Sequence, residues 1–226
     1  MTPFERAREY WAVRLGCARG ALVLPGLTVV PQPEERALFA LLSGESLVVM
    51  APERLHEPLL ELPQPSTLVT PEGLAPLVPD GARLIGPASV AYLEEELVQP
   101  DGVVELESLA DPRLEELRRA VTPDEWRHAN LEKAEPPLFG IEHQGRLGAA
   151  AGFERVQDRV AHIGVLSDPR SRERGFGRLV TQAVGARALA LQLLPQYQTL
   201  LSNAGALRIG KQLGFAQFAV TLAARW

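Results

Sequence analysis

The stretch AHIGVLSDPRSRERGFGRLV, residues 161–180, decides how this chain is read. Val160–Leu166 has the apolar, β-branched character of a strand. Pro169 and its polar neighbours then mark a loop. From Gly177 to Leu191, Leu179, Ala183, Ala186 and Ala190 fall on one face, with Val180 and Val184 beside it. That is a helix of about 22 Å at 1.5 Å per residue. Its first turn is Gly175-Phe176-Gly177, where the backbone can approach a ligand with no Cβ in the way. A helix start also offers free N–H groups and a partial positive charge. Together these form an anion cradle. Arg170, Arg172, Arg174 and Arg178 add full charges suited to phosphate oxygens. The bland alternative is a glycine-rich loop beside a solvated arginine cluster, and the stretch alone leaves both open.

Two phosphate motifs are excluded. The dinucleotide fingerprint needs a third glycine at position 180, which is Val, and no Gly-Lys-Ser/Thr sequence exists for a P-loop. The charge balance narrows the ligand further. The chain carries a net charge of −5. Residues 1–100 hold 7 basic and 13 acidic side chains; residues 101–226 hold 16 and 15. An acidic protein is poorly suited to nucleic acid. Five arginines against two acids between Asp168 and Arg187 suit a small polyanion instead. No apolar run reaches the ~20 residues of a membrane span, and the mixed charges from residue 5 onward do not read as a secretory leader. The expected location is the cytoplasm, with no membrane partner. Cys17 is the only cysteine, and no Cys/His cluster has metal-ligand spacing. A homodimer is allowed.

Outward from the central stretch, the second half reads as α+β. Val103–Leu106 is a strand, and Pro112–Ala120 and Pro123–Asn130 are helices with acidic first turns. Pro137–Glu142, Leu147–Val156 and Val160–Leu166 form a meander joined by turns at residues 143–146 and 157–159. Gln198–Leu201 is a strand, Ala204–Leu213 a helix and Phe215–Leu222 a last strand. The first half holds 13 of the 19 prolines and reads as short elements. These include a helix over Phe4–Leu15, a strand over Ser46–Met50 and a helix after Pro52. A short strand over Ala82–Ile85 and an amphipathic helix over Ala88–Leu97 follow. The turn Gln99-Pro100-Asp101-Gly102 sets the expected boundary between an N-terminal α/β lobe, 1–102, and a second domain, 103–226.

Arg172-x-x-Gly175-x-Gly177 after a strand resembles the coenzyme-A motif of the GNAT superfamily of N-acetyltransferases. Asn203, with Gly214-Phe215 eleven residues on, resembles that superfamily's second motif. Ile85-Gly86-Pro87-Ala88, Tyr92, Asp124-Glu125-Trp126 and Phe139-Gly140 are similar to a bacterial branch with an extra N-terminal segment. The resemblance implies an α+β, three-layer α/β/α fold. Its central sheet would be mixed and mostly antiparallel, with two splayed parallel strands, Val160–Leu166 and Gln198–Leu201, and a smaller α/β lobe would precede it. It implies acetyl-CoA as cofactor and a small-molecule or peptide amine as acceptor. Amides near Val165 and Leu166 would meet the pantetheine arm and Asn203 would touch it. Arg170, Arg172, Arg174, Gly175, Phe176, Gly177 and Arg178 would hold the pyrophosphate.

Two residues could serve as general base. His162 has a suitable ordinary pKa, about 6.5, and Glu154 lies on the neighbouring strand. The competing readings are a packed, hydrogen-bonded histidine and a surface carboxylate. Trp126 could line the acceptor pocket or simply pack. One departure stands out. Many superfamily members carry a thiolate-protonating Tyr four residues before the Gly-Phe pair, where this chain has Gly210. That leaves a non-catalytic acyl-CoA-binding module as the alternative function.

Overall fold

Local chemistry fixes most of the elements in the computed structural model, which describes residues 1–93 and 95–226. Helix α1 (Pro3–Leu15) starts on a capping box: Thr2 accepts the Glu5 N–H at 3.2 Å and Glu5 accepts the Thr2 N–H at 2.7 Å. It stops at Gly16, which is left-handed. The chain divides into two compact units. One comprises Met1–Ala91, Gln198–Ala204 and Gln217–Trp226; the other comprises Tyr92–Tyr197 and Gly205–Ala216.

The first unit contains β1 (Gly26–Pro31), β2 (Ala37–Ser43), β3 (Ser46–Ala51), α2 (His56–Leu60) and α3 (Pro71–Leu74). It also holds most of β4 (Arg83–Leu93) and of β10 (Phe215–Arg225). Its strands lie in the order β1-β3-β2-β10-β4. β1 and β3 run parallel, whereas β2 is antiparallel to β3 and to β10. Alternation along β2 sends Leu38 and Ala40 into a core with Val49, Leu59, Leu68, Leu74 and Leu222. Phe39 points the other way, and its ring stacks on Trp11 of α1 at 5.9 Å.

The second unit contains β5 (Val104–Leu106), α4 (Pro112–Ala120), α5 (Pro123–Ala129), β6 (Leu138–His143), β7 (Arg146–Val156), β8 (Val160–Ser167), α6 (Phe176–Ala190) and the start of β9 (Leu194–Leu200). Most of α7 (Ala204–Gln212) belongs to it as well. The strand order is β9-β8-β7-β6-β5. The pairs β5/β6, β6/β7 and β7/β8 are antiparallel, and β8/β9 is parallel. Leu114, Leu117, Ala129 and Leu131 pack with Leu106, Leu138, Ala150 and Leu166 on the α4/α5 face. On the other face, α6 comes so near that a Cβ at Gly177 would meet Ser167 Oγ at 3.1 Å and Val165 Cγ2 at 3.9 Å. The unit is therefore a three-layer α/β/α body, and the whole chain is α+β with mostly antiparallel pairing.

Three expectations are corrected. Ala88–Leu97 is not a helix: β4 runs from Arg83 to Leu93, residues 95–97 are non-helical, and residue 94 lies outside the described residues. Ala88 through Leu93 are all buried, the signature of a strand covered on both faces, and such a strand lacks the alternation that would reveal it. The strand expected at Gln198–Leu201 is Leu194–Leu200, starting four residues earlier. β1 and β2, closely bracketed by prolines, carried no clear sequence signal. The compact units also part between Ala91 and Tyr92 rather than after residue 102, and two late segments group with the first unit.

Candidate functional site

The parallel ladder between β8 and β9 has four rungs, from Val160↔Leu194 to Ile163↔Tyr197. β8 runs on without β9 through Gly164–Ser167, while β7 continues to pair with it there. The chain then enters the loop that precedes α6. Asp168, 1% exposed, caps a 3-10 turn over Pro169–Ser171. Its Oδ1 accepts the Arg170 N–H at 2.8 Å, and its Oδ2 accepts Arg170 Nη2 at 2.9 Å. The Arg170 guanidinium, followed by burial and the backbone N–H, governs the Asp168 carboxyl, with a net shift below the usual range. Glu173 has φ 65° and Gly175 has φ 79°, so the backbone turns left-handed twice before α6 begins. A Cβ at Gly175 would project into open space.

These contacts sort the predicted phosphate ligands. Arg170 is held by Asp168 as a structural staple. Arg172 donates to Glu125 in the first turn of α5. Glu125 also closes a capping box with Thr122, and that backbone bond is the first cause of its lowered pKa. Arg174 is exposed and makes no ion pair among the described residues. Arg178 bonds Gln182 along α6 at 3.2 Å. The Phe176 ring turns back against His143 at 5.3 Å, and a Cβ at Gly148 would strike it. Gly177 serves packing, whereas Gly175 serves conformation. Val165 faces α6, and Leu166 is buried in the α4/α5 core. Asn203 sits just ahead of α7 in the first unit, exposed, its N–H bonded to Leu200 O at 3.0 Å.

The two candidate bases are brought together. Glu154 pairs directly with His162 across β7/β8, and His162 pairs with Gln196 across β8/β9. Directly paired residues project to one face, so the three form a polar row on the α4/α5 side. Glu154 accepts Asn130 Nδ2 at 2.9 Å. His162 Nδ1 lies 2.8 Å from Gln196 Oε1, and Gln196 Nε2 donates to the Tyr92 hydroxyl. With the amide oxygen facing the ring, His162 Nδ1 is placed to donate to it. Gln196, Tyr92 and Asn130 were not singled out in the sequence as partners of this row. Trp126 is half-buried; it lies under Arg118 and its Nε1 is 3.4 Å from Glu132.

One glycine on the same face sets how α5 lies on the sheet. A Cβ at Gly164 would land on the carbonyl oxygen of Ala129. α5 ends there, with Asn130 left-handed at φ 53°.

A parallel pair whose ladder stops ahead of a glycine-capped helix, with helices on both faces of the sheet, defines the architecture of this unit. No protein-family model matches the sequence, and no curated protein matches it. Solved structures do. A GNAT-family acetyltransferase structure from Novosphingobium aromaticivorans DSM 12444 is 27% identical, with a TM-score of 0.51 over 65% of this chain and 67% of that one. A GNAT-family acetyltransferase from Colwellia psychrerythraea is 18% identical, with a TM-score of 0.50 over 64% of this chain and 57% of that one. A GCN5-related N-acetyltransferase-like protein from Streptococcus suis 89/1591 is 17% identical, with a TM-score of 0.50 over 84% of each chain. These likenesses give the chain the fold of GNAT-family acetyltransferases. No helix among the described residues is long and apolar enough to cross a membrane.

Proposed function

We propose that the protein is a cytoplasmic N-acetyltransferase that moves an acetyl group from acetyl-CoA to an amine. The observation that carries this reading is the β8/β9 ladder that ends at Ile163↔Tyr197 just before the left-handed Gly175 and α6. The chemistry is assigned to the unit of Tyr92–Tyr197 and Gly205–Ala216, with the other unit as an accompanying lobe. The residues present fit the cofactor: an open left-handed glycine, the start of a 15-residue helix and Arg174, which has no ion pair among the described residues, suit a pyrophosphate.

Acetyl-CoA supplies the activated acyl thioester. In the proposed site, backbone N–H groups of Gly164–Ser167 polarise its carbonyl, an effect worth about 2.7–4 kcal/mol per donor. His162, positioned by Gln196, is the first candidate base for the amine proton, and Glu154 is the second. Arg172 is shared between Glu125 and the phosphates.

The test is thiol release from acetyl-CoA across an amine panel. The variant of whichever residue is the base, His162→Ala or Glu154→Ala, should lose the ascending limb of the pH–rate profile. Retention of the limb in both variants rules out both bases. Gly210 favours a second reading, an acyl-CoA-binding module without turnover. Tight CoA binding with no reactive amine supports it.

A further inference from the structure

Helix α5 is seven residues long, too short to hold its shape without help at its ends. At the first end the Glu125 carboxylate makes two separate connections. Its Oε2 accepts the Thr122 N–H at 2.9 Å and the Thr122 hydroxyl at 3.1 Å, closing the capping box. Its Oε1 accepts Arg172 Nη2. At the other end Asn130 bonds Glu154 on β7 at 2.9 Å, and the Ala129 carbonyl lies against Gly164. The helix is thus tied to the loop before α6 at one end and to the sheet at the other.

That loop is pinned early and then released. Asp168 fixes its first turn, and Ser171 is buried. Arg172 is where the backbone leaves the turn, one residue before left-handed Glu173 and three before Gly175. Among the described residues, the Arg172 bond to Glu125 is the one side-chain bond that joins residues 172–175 to another element.

We infer that Glu125 is a positioning residue for the cofactor loop: through Arg172 it holds residues 172–175 in the form that accepts the pyrophosphate, and it makes the order of α5 depend on CoA occupancy. The inference rests on the acetyltransferase reading, which supplies CoA as the ligand of that loop. Linkage between the two is reciprocal: the steadiness α5 lends the loop for binding, the occupied loop returns to α5.

Glu125→Gln separates the tie from the cap. Glutamine also closes a capping box. Its one carbonyl oxygen is then spent on Thr122, and an amide NH2 faces Arg172. The urea midpoint should stay near that of the wild type. CoA affinity by calorimetry should fall about fivefold, the upper range for an exposed ion pair. Arg172→Ala should weaken CoA at least as much, and adding Glu125→Gln to it should change nothing further, because the two residues act as one unit. Saturating CoA should slow amide exchange at residues 126–130 at least about threefold in the wild type and leave it unchanged in Glu125→Gln. A purely structural Glu125 would not produce that difference. Affinity in Glu125→Gln equal to or above that of the wild type, or losses that add in the double variant, overturns the positioning role and leaves the acetyltransferase reading intact. So does exchange in the wild type that ignores CoA. Absence of CoA binding to the wild type overturns both.

Discussion

The chain uses the sequence Asp-Pro-Arg twice, and the two copies do different work. At Asp111-Pro112-Arg113 the carboxylate accepts the Arg113 N–H at 2.9 Å and Arg113 Nη2 at 2.7 Å. At Asp168-Pro169-Arg170 the same bonds measure 2.8 and 2.9 Å. The first copy starts α4 directly, and Arg113 reaches on to Glu142 at 2.6 Å. The second supports a single 3-10 turn, after which the backbone leaves helical geometry at Arg172 and turns left-handed at Glu173 and Gly175. The acid is also more deeply buried in the second copy: the Asp168 side chain is 2% exposed against 15% for Asp111. One cap nucleates a helix; the other freezes a loop so that a later helix can begin in the open. Arginines near a glycine turn are therefore not equivalent. Those paired to a local acid build the turn, and those left unpaired are available to a ligand.

The largest test of that contrast is Gly175→Val. A left-handed valine costs about 1–2 kcal/mol, and its side chain would stand where phosphate approaches. CoA affinity by calorimetry should fall about a hundredfold, or about 2.8 kcal/mol. Gly102 is a matched control: φ 75°, open space around it, in the same unit. Gly102→Val should lower stability comparably and leave CoA affinity alone. Equal effects on binding would dissolve the distinction.

Next comes the cap pair. Asp168→Ala should cost about 2 kcal/mol in urea unfolding, and Asp111→Ala about 1 kcal/mol, because the deeper carboxylate leaves its N–H partner more completely dry. Both carboxyls titrate below their usual range, primarily through the adjacent arginine. Their contribution is thus fully present above about pH 4 and lost as pH falls through the folded-state value. Each variant should lose part of the wild type's acid-induced destabilisation. Weaker acid sensitivity in neither would sink the capping account.

The smallest effect separates the arginines. Arg174→Ala should weaken CoA about tenfold, within the range of a charge-assisted hydrogen bond, and should reduce the salt dependence of binding. Arg170→Ala should change affinity less than about threefold. The reverse order would make Arg170 the ligand.

Much of the second unit was legible because its signals are local. Capping prolines and acids mark α4 and α5, left-handed turn residues mark the β6–β8 meander, and Gly175 marks the start of α6. β4 was misread because a strand buried on both faces shows no alternation, and the acids after Leu93 imitated a helix's polar side. In the candidate site the glycine turn is contiguous in sequence, and so is the Asp-Pro-Arg cap, which repeats at 111–113. The His162–Gln196–Tyr92 chain was not legible, since pairing between distant strands brings together residues 34 and 104 positions apart. Nothing near any one of them announces the others.

Gly164 carries a geometric consequence for the row of Glu154, His162 and Gln196 two residues away. The thickness of the gap between α5 and β8 is set there by a hydrogen atom in place of a methyl group. Any other residue would lift the carboxyl end of α5 off the strand. Asn130 rides on that end, and its amide reaches Glu154 only at the present spacing. A position with no functional group of its own thus acts as a shim that decides whether a carboxylate on the next strand is steadied or left to swing.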